Sequence, residues 1–382
     1  MRRTLTTIVC VLLIPVFLAG CQISRQLGYS DKREVVKLGF IGPLTGEGAS
    51  YGADQKNATL LAVEEINSNG YIPGKRLEVV IEDGQCSGKG GATAAQKLIN
   101  VDKVKMIVGF ACSDETLAAA PIAQAAEVII LASFSSNPAI TNAGDFIFRN
   151  VPDDSASGIL AANLISQKYK KAAVLSENST YAIGVRDSFI KQMEENGGEV
   201  VADEIYNVEQ KDFRTHLLKI ESKKPEVIFI NPQTDLNAGL IIKQVRELGL
   251  VDPVYGTLYF GGADTMKSAG DAALEGVIFV DVQGVAGEKG EKFLARFKER
   301  FGDPQNQYLV GAQYDSIYIL ADAIKTVGLD TSNTRDYLYG LKNYEGTLGS
   351  YHFDKNGDVV GVGWRAMTIH NGQVVPYEDS KQ

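Results

Sequence analysis

Histidine and cysteine are scarce: 3 His and 4 Cys occur in 382 residues, too few at adjacent positions to assemble a zinc set. His352 and His370 fall in two C-terminal stretches with Asn-Gly turns, and His216 in a Lys-rich amphipathic stretch. Those places suit surface residues better than a general base. No G-x-S-x-G, H-E-x-x-H or G-x-x-x-x-G-K-[ST] occurs, so serine-hydrolase, zinc-protease and P-loop chemistry lack their signatures. The run I-G-P-L-T-G-E-G-A-S-Y-G spaces Gly46, Gly48 and Gly52 as G-x-G-x-x-x-G, one residue off the dinucleotide fingerprint, and Pro43 interrupts the turn. Such a loop can instead let a small molecule approach the backbone, with Tyr51 leaning over it. Carboxylates are plentiful, but none is paired by spacing for acid/base work. No enzymatic step and no cofactor is expected, and metal ligation is not expected either.

Basic charge is also in short supply. The formal net charge is −9, which argues against nucleic acid as a partner and favours a neutral or zwitterionic ligand. Long apolar runs are absent except near the start, where Arg2 and Arg3 precede an apolar stretch from Ile8 to Phe17 and then Leu18-Ala19-Gly20-Cys21. That is the layout of a secretory signal, too short for a membrane span. Its ending resembles a bacterial lipobox, so residues 1–20 are expected to be removed and Cys21 to carry lipid; the alternative is an ordinary cleaved signal. Residues 21–34 then form a tether. The first twenty residues hold two arginines and no acid, so the mature chain is more acidic still, near −11. Cys86 and Cys112 remain as the one pair, and an oxidising compartment should join them. Two separate buried thiols are the alternative.

What the chain does have is alternation. Strands are expected at 35–41, 77–83, 105–110 and 128–132, with helices near 51–68, 90–101 and 114–126. A break at 146–154 follows, where Asp153 or Asp154 could cap a new helix. A second series places strands at 172–176, 199–205, 226–230, 253–257 and 276–280, with helices between them. Two such series imply two mainly parallel sheets covered by helices, with a cleft between. Phe293, Phe297 and Phe301 recur every four residues and mark a core-facing helix side. The stretches S-Y-H-F-D-K-N-G-D-V-V and R-A-M-T-I-H-N-G-Q-V-V read as hairpins. Helices that complete the first lobe thus follow the second, so the chain crosses between lobes near 150–153, 281–285 and 345–349. The resulting division is 35–152 plus 283–347 for lobe 1 and 153–282 plus 348–376 for lobe 2.

The most informative stretch is Lys105 to Thr141, a β-α-β unit with a polar patch after each strand. In open α/β sheets ligands bind at strand carboxyl ends, where helix N-termini offer free N–H groups. Ser113 and Ser136 are placed there. Ser113 also suits an N-cap, and Ser135 and Ser136 before Asn137-Pro138 also suit a turn. Tyr181 follows a strand of the second series, where its ring could cover an apolar ligand group.

Four features together resemble type I periplasmic binding proteins of the branched-chain amino acid class, the solute receptors of ABC importers. They are K-L-G-F-I-G-P-L-T-G-E-G-A-S-Y-G, A-V-E-E-I-N-S-N-G-Y-I-P-G-K-R-L-E-V-V-I-E-D, the Cys86 and Cys112 pair, and G-A-Q-Y-D-S-I-Y-I-L-A-D-A-I. The resemblance implies a two-lobed receptor with three crossover strands as hinge, closing on its ligand. It puts Ser113 and Ser136 on the ligand α-carboxylate, the Phe134 carbonyl on the ammonium, and Tyr51 and Tyr181 along the cleft. Two positions depart: Leu258 stands where the family often has an acid for the ammonium, and Gln233 where it has tyrosine. Asp235 could substitute for the acid; otherwise the ligand is a keto or aromatic acid without an amine. The expectation is a monomeric, lipid-anchored envelope protein that hands a hydrophobic amino acid to an ABC permease. A lipoprotein sensor with a filled cleft is the alternative.

Overall fold

The computed structural model describes residues 31–250 and 253–378. The expected signal segment, Cys21 and the tether up to residue 30 lie outside the described residues. Among those described, no helix is long and apolar enough to cross a membrane.

The chain opens with β1 (Glu34–Gly42), α1 (Ala49–Ser68), β2 (Lys75–Asp83), α2 (Gly88–Asn100), β3 (Met106–Gly109), α3 (Ser113–Ala125), β4 (Ile129–Ala132) and β5 (Ile147–Arg149). The five strands form one parallel sheet in the order β2-β1-β3-β4-β5. Alternation along them feeds both faces. Leu38, Phe40, Met106, Val108, Ile129 and Leu131 pack into the larger core. Ile41, Ile107 and Ile130 point the other way, onto Ala94, Leu98, Ala119 and Ala123 of α2 and α3.

The second series supplies α4 (Asp154–Ser166), β6 (Lys171–Glu177), α5 (Thr180–Glu195), β7 (Glu199–Tyr206), α6 (Arg214–Ser222), β8 (Val227–Asn231), α7 (Asp235–Glu247), β9 (Val254–Gly256), α8 (Ala263–Ala269), α9 (Asp271–Leu274) and β10 (Ile278–Val282). There follow α10 (Gly287–Phe301), α11 (Gln307–Val327), α12 (Thr331–Gly340), β11 (Tyr344–Gly346), β12 (Gly349–Phe353), β13 (Val359–Val360), β14 (Trp364–His370) and β15 (Gln373–Pro376). The second sheet runs β15-β14-β10-β9-β8-β6-β7, with β14 antiparallel to both of its neighbours, β10 and β15. Phe189 of α5 stacks on Phe229 of β8 at 4.3 Å between ring centroids. Phe293 and Phe297 are fully buried, as their spacing indicates.

Both C-terminal hairpins form, but they part company. β14 and β15 extend the second sheet, whereas β12 pairs with β11 and β13 in a separate three-stranded sheet. That small sheet packs on first-sheet elements: Phe353 meets Phe148 edge-on at 5.5 Å, and the Tyr351 hydroxyl donates to Asp315 of α11. The third crossing expected near 345–349 therefore lies after β13, at 361–363, because residues 349–360 find their aromatic and carboxylate partners on the first side.

The expected disulfide is present. Cys86 and Cys112 follow β2 and β3, with Cα atoms 5.2 Å apart. These strands flank β1, so the bridge ties two loops at one sheet edge. The residues are 26 apart in sequence, and closing a loop of that length contributes about 3 kcal/mol. Replacing both by alanine is expected to lower the denaturant midpoint correspondingly, and an unchanged midpoint would show that the loops are held by other contacts.

Candidate functional site

The G-rich loop owes its composition to packing. A Cβ on Gly52 would lie 1.9 Å from the Pro43 carbonyl oxygen, and Gly46 has φ +81°. Only glycine lets the first turn of α1 close on the loop, and this brings Tyr51 to the cleft. From the facing lobe, α7 brings Asp235, and the Tyr51 hydroxyl donates to Asp235 Oδ1 at 2.5 Å. Further bonds join the same edges. Asn137 Nδ2 donates to the Thr180 carbonyl at 2.7 Å, the Thr180 hydroxyl donates to Asp114, and Lys211 pairs with Glu47 at 2.6 Å. The sheets' carboxyl ends thus meet across a hydrogen-bonded seam.

Two spaces remain along it. A wide outer cleft of about 1080 Å³ is lined by Tyr51, Phe134, Glu177, Gln233 and Tyr259, among others. Behind it lies an inner cavity of about 10 Å³ bordered by Ser113, Ser136, Tyr181, Gln233, Leu258 and Trp364, room for roughly one water. Tyr259 separates the two. Its ring meets Tyr51 at 5.8 Å and Tyr181 at 5.5 Å, both edge-on, the favoured aromatic geometry.

The expected site residues divide accordingly. Ser113, Ser136, Tyr181 and Leu258 border the inner cavity, Tyr51 the outer cleft, and Phe134 and Gln233 both. Asp235 borders neither. Ser135 does not reach the cleft wall: its hydroxyl donates to the Phe110 carbonyl at 2.9 Å and accepts from Thr116 at 2.7 Å, which fixes the loop. Ser113 is the first residue of α3 and not its cap, a place taken by Cys112. The Ser113 oxygen accepts from the Asn137 N–H at 3.2 Å, and its own proton is donated to none of the described residues. Ser136 is polarised the opposite way, because its proton goes to Asp154 Oδ2 at 2.6 Å.

Arg149 holds this loop from behind. Its side chain is wholly buried, and Nη1 donates to the carbonyls of Ser136 and Asn137 at 2.9 and 2.8 Å. Nη2 donates to Thr141 and to Asp153, and Nε to Asp358 at 2.6 Å. Asp153 is the N-cap of α4, accepting from Ser155 N.

Tyr259, Glu177, Asp154, Arg149 and Trp364 were not foreseen. Tyr259 adjoins Leu258, and Trp364 is the single tryptophan of the chain, the one signal that pointed to it. Among the described residues no group of three or more His, Cys, Asp or Glu could hold a metal.

The geometry agrees with the chain's relatives. A family model described as periplasmic binding protein matches residues 35–373. The chain belongs to the periplasmic binding protein family. A leucine-, isoleucine-, valine-, threonine- and alanine-binding protein of Pseudomonas aeruginosa is 29% identical over 346 residues, covering 89% of this chain and 91% of that one. Among solved structures, LivJ of Streptococcus pneumoniae in complex with isoleucine is 29% identical, with TM-score 0.81 over 89% of this chain and 98% of that one. A solute-binding protein of an ABC transporter from Rhodopseudomonas palustris, in complex with 3,4-dihydroxybenzoic acid, is 26% identical, with TM-score 0.80 over 90% and 96%. The two-lobed α/β architecture is that of this family, whose members bind and do not catalyse.

Burial sets the charge state of the periplasmic binding protein's cleft. It pushes the Asp154 carboxyl up to about 8, with the Ser136 hydrogen bond and Arg149 opposing. It also pushes Asp235 up to about 8 against the Tyr51 hydrogen bond. Tyr51, Tyr181 and Tyr259 are driven well above the ordinary phenol value by the same cause, so all three remain hydroxyl donors. Between about pH 4 and 8 the folded protein binds protons that the unfolded chain has released. This contribution to stability is whole below pH 4 and is lost as pH rises through 8. The melting temperature should therefore fall from pH 5 to 8.5, and Asp235→Asn should flatten that slope; an unaltered slope would mean that Asp235 stays ionised throughout.

Proposed function

We propose that this chain is the extracytoplasmic solute-binding component of an ABC importer, held to a membrane of the bacterial envelope by lipid on Cys21. It takes a small carboxylate-bearing ligand, a branched-chain or other hydrophobic amino acid, between lobes formed by 35–152 with 283–360 and by 153–282 with 361–376. It works as a monomer with a permease partner. The observation that carries this reading is Ser113, buried at the start of α3 with its hydroxyl proton unspent. A helix N-terminus with a free hydroxyl donor is a carboxylate site. Ser136 gives its proton to Asp154, so its remaining lone pairs suit a donor on the ligand and not the carboxylate. Phe134 supplies a carbonyl, and Tyr51, Tyr181 and Gln233 enclose the guest. The names of the relatives point to the same ligand class.

Two observations favour other ligands or roles. Leu258 lacks the acid often found there, and a relative is solved with an aromatic acid that has no amine. Tyr259 closes off the inner cavity at Ser113 from the outer cleft, as a sensor with no ligand site there would require. In the receptor reading Tyr259 swings aside when the seam opens.

Thermal melting against amino acids, keto acids, aromatic acids and amides separates these readings. A ligand at a hundred times its dissociation constant adds about 2.7 kcal/mol of stability. Ser113→Ala is expected to remove that gain while leaving the ligand-free protein folded. No shift with any compound would overturn the receptor reading, and an undiminished shift in the variant would overturn the role of Ser113.

A further inference from the structure

The cleft needs an anion wherever its ligand carries a protonated nitrogen, and the position expected to supply one is Leu258. Asp235 does not fill the role, because it borders neither space. Asp154 stands behind Ser136. Glu177 is different. It ends β6, lines the outer cleft and is 1% exposed.

Three donors converge on one of its oxygens. Tyr206 Oη at 3.1 Å, the Gln233 N–H at 3.2 Å and Asn237 Nδ2 at 3.1 Å all donate to Glu177 Oε2. Oε1 accepts from none of the described residues. A carboxylate held this way has its orientation fixed by one edge and presents the other. No lysine or arginine is among the residues lining the outer cleft. Lys211, close by, is engaged with Glu47 at 2.6 Å and with Asn237 Oδ1 at 2.9 Å. The other acids lining this space are Glu47, Asp114, Asp187 and Glu209. An incoming anion would meet a wall without a free cation, and an ammonium group would meet an oriented carboxylate. Burial, only partly offset by its three hydrogen bonds, raises the pKa of Glu177, and the charge of Glu47 adds to the rise. A cation bound there would relieve both effects.

We propose that Glu177 accepts a protonated nitrogen of the ligand through Oε1, so that the cleft selects amine-bearing ligands over amine-less acids of the same shape. This rests on the receptor reading above and narrows it.

The test compares leucine, isoleucine, valine and phenylalanine with their 2-oxo-acid counterparts, by calorimetry on the full chain and on Glu177→Gln and Glu177→Asp. The amino acid that binds wild type best should bind at least about 10-fold more tightly than its oxo acid, the range of a charge-assisted hydrogen bond. Glu177→Gln should weaken the amino acid about 10-fold or more and the oxo acid by less than about 3-fold, with Glu177→Asp between. Equal binding of amino and oxo acid, or Glu177→Gln leaving the amino acid unaffected, overturns the assignment alone. Failure of all eight compounds to bind overturns it as well. If aromatic acids or amides still shift the melting point, the receptor reading survives that failure. Should Glu177→Gln not fold, the wild-type pairs decide the matter.

Discussion

One buried cation joins the parts of this protein that matter for binding. A guanidinium has five N–H donors in a planar fork, and Arg149 spends them on five acceptors: two loop carbonyls, Thr141, Asp153 and Asp358. The carbonyls belong to Ser136 and Asn137, Asp153 caps the first helix of the second series, and Asp358 lies in the last hairpin of the first. A single side chain thus ties together the loop after β4, the start of α4 and the hairpin of β12 and β13. Removing one partner of such a group leaves charge in a dry interior, at a cost of roughly 3–5 kcal/mol.

The cleft follows a different economy. Close behind it some polar groups are incompletely satisfied: Asp154 Oδ1 and Asp235 Oδ2 find no partner among the described residues. Buried polar atoms without partners are costly. A rigid frame around underused hydrogen-bonding capacity is how a site is kept ready for a guest. The seam of Tyr51 with Asp235 closes that frame by a bond that can be broken and remade.

Much of the frame was legible in the chain itself. Strands of the first sheet are consecutive apolar residues with small-residue turns, so Met106–Gly109 and Ile129–Ala132 could be read locally, as could the cysteine pair after neighbouring strands. The hairpins were legible as hairpins, but their sheets were not, since Phe353 and Tyr351 choose partners some two hundred and some thirty-six residues away. The site was half legible. Ser113 and Ser136 follow strands, and strand ends are where ligands go. The direction in which each hydroxyl points was not legible, because it depends on Asn137 and Asp154 approaching through tertiary structure. Ser135, adjacent to Ser136 and chemically identical, turns inward to the Phe110 carbonyl. Glu177 is one acid among many by sequence, and only the convergence of Tyr206, Gln233 and Asn237 distinguishes it.

The distance along the chain between Arg149 and its counter-ion has a consequence for how the protein is made. Asp358 comes 209 residues later, and α11, which carries Asp315 for the same hairpin, is also late. While synthesis is under way, the first sheet can assemble its strands with only the partly exposed Asp153 to balance the cation at its edge. The first lobe reaches its final state only when the last fifth of the polypeptide has emerged.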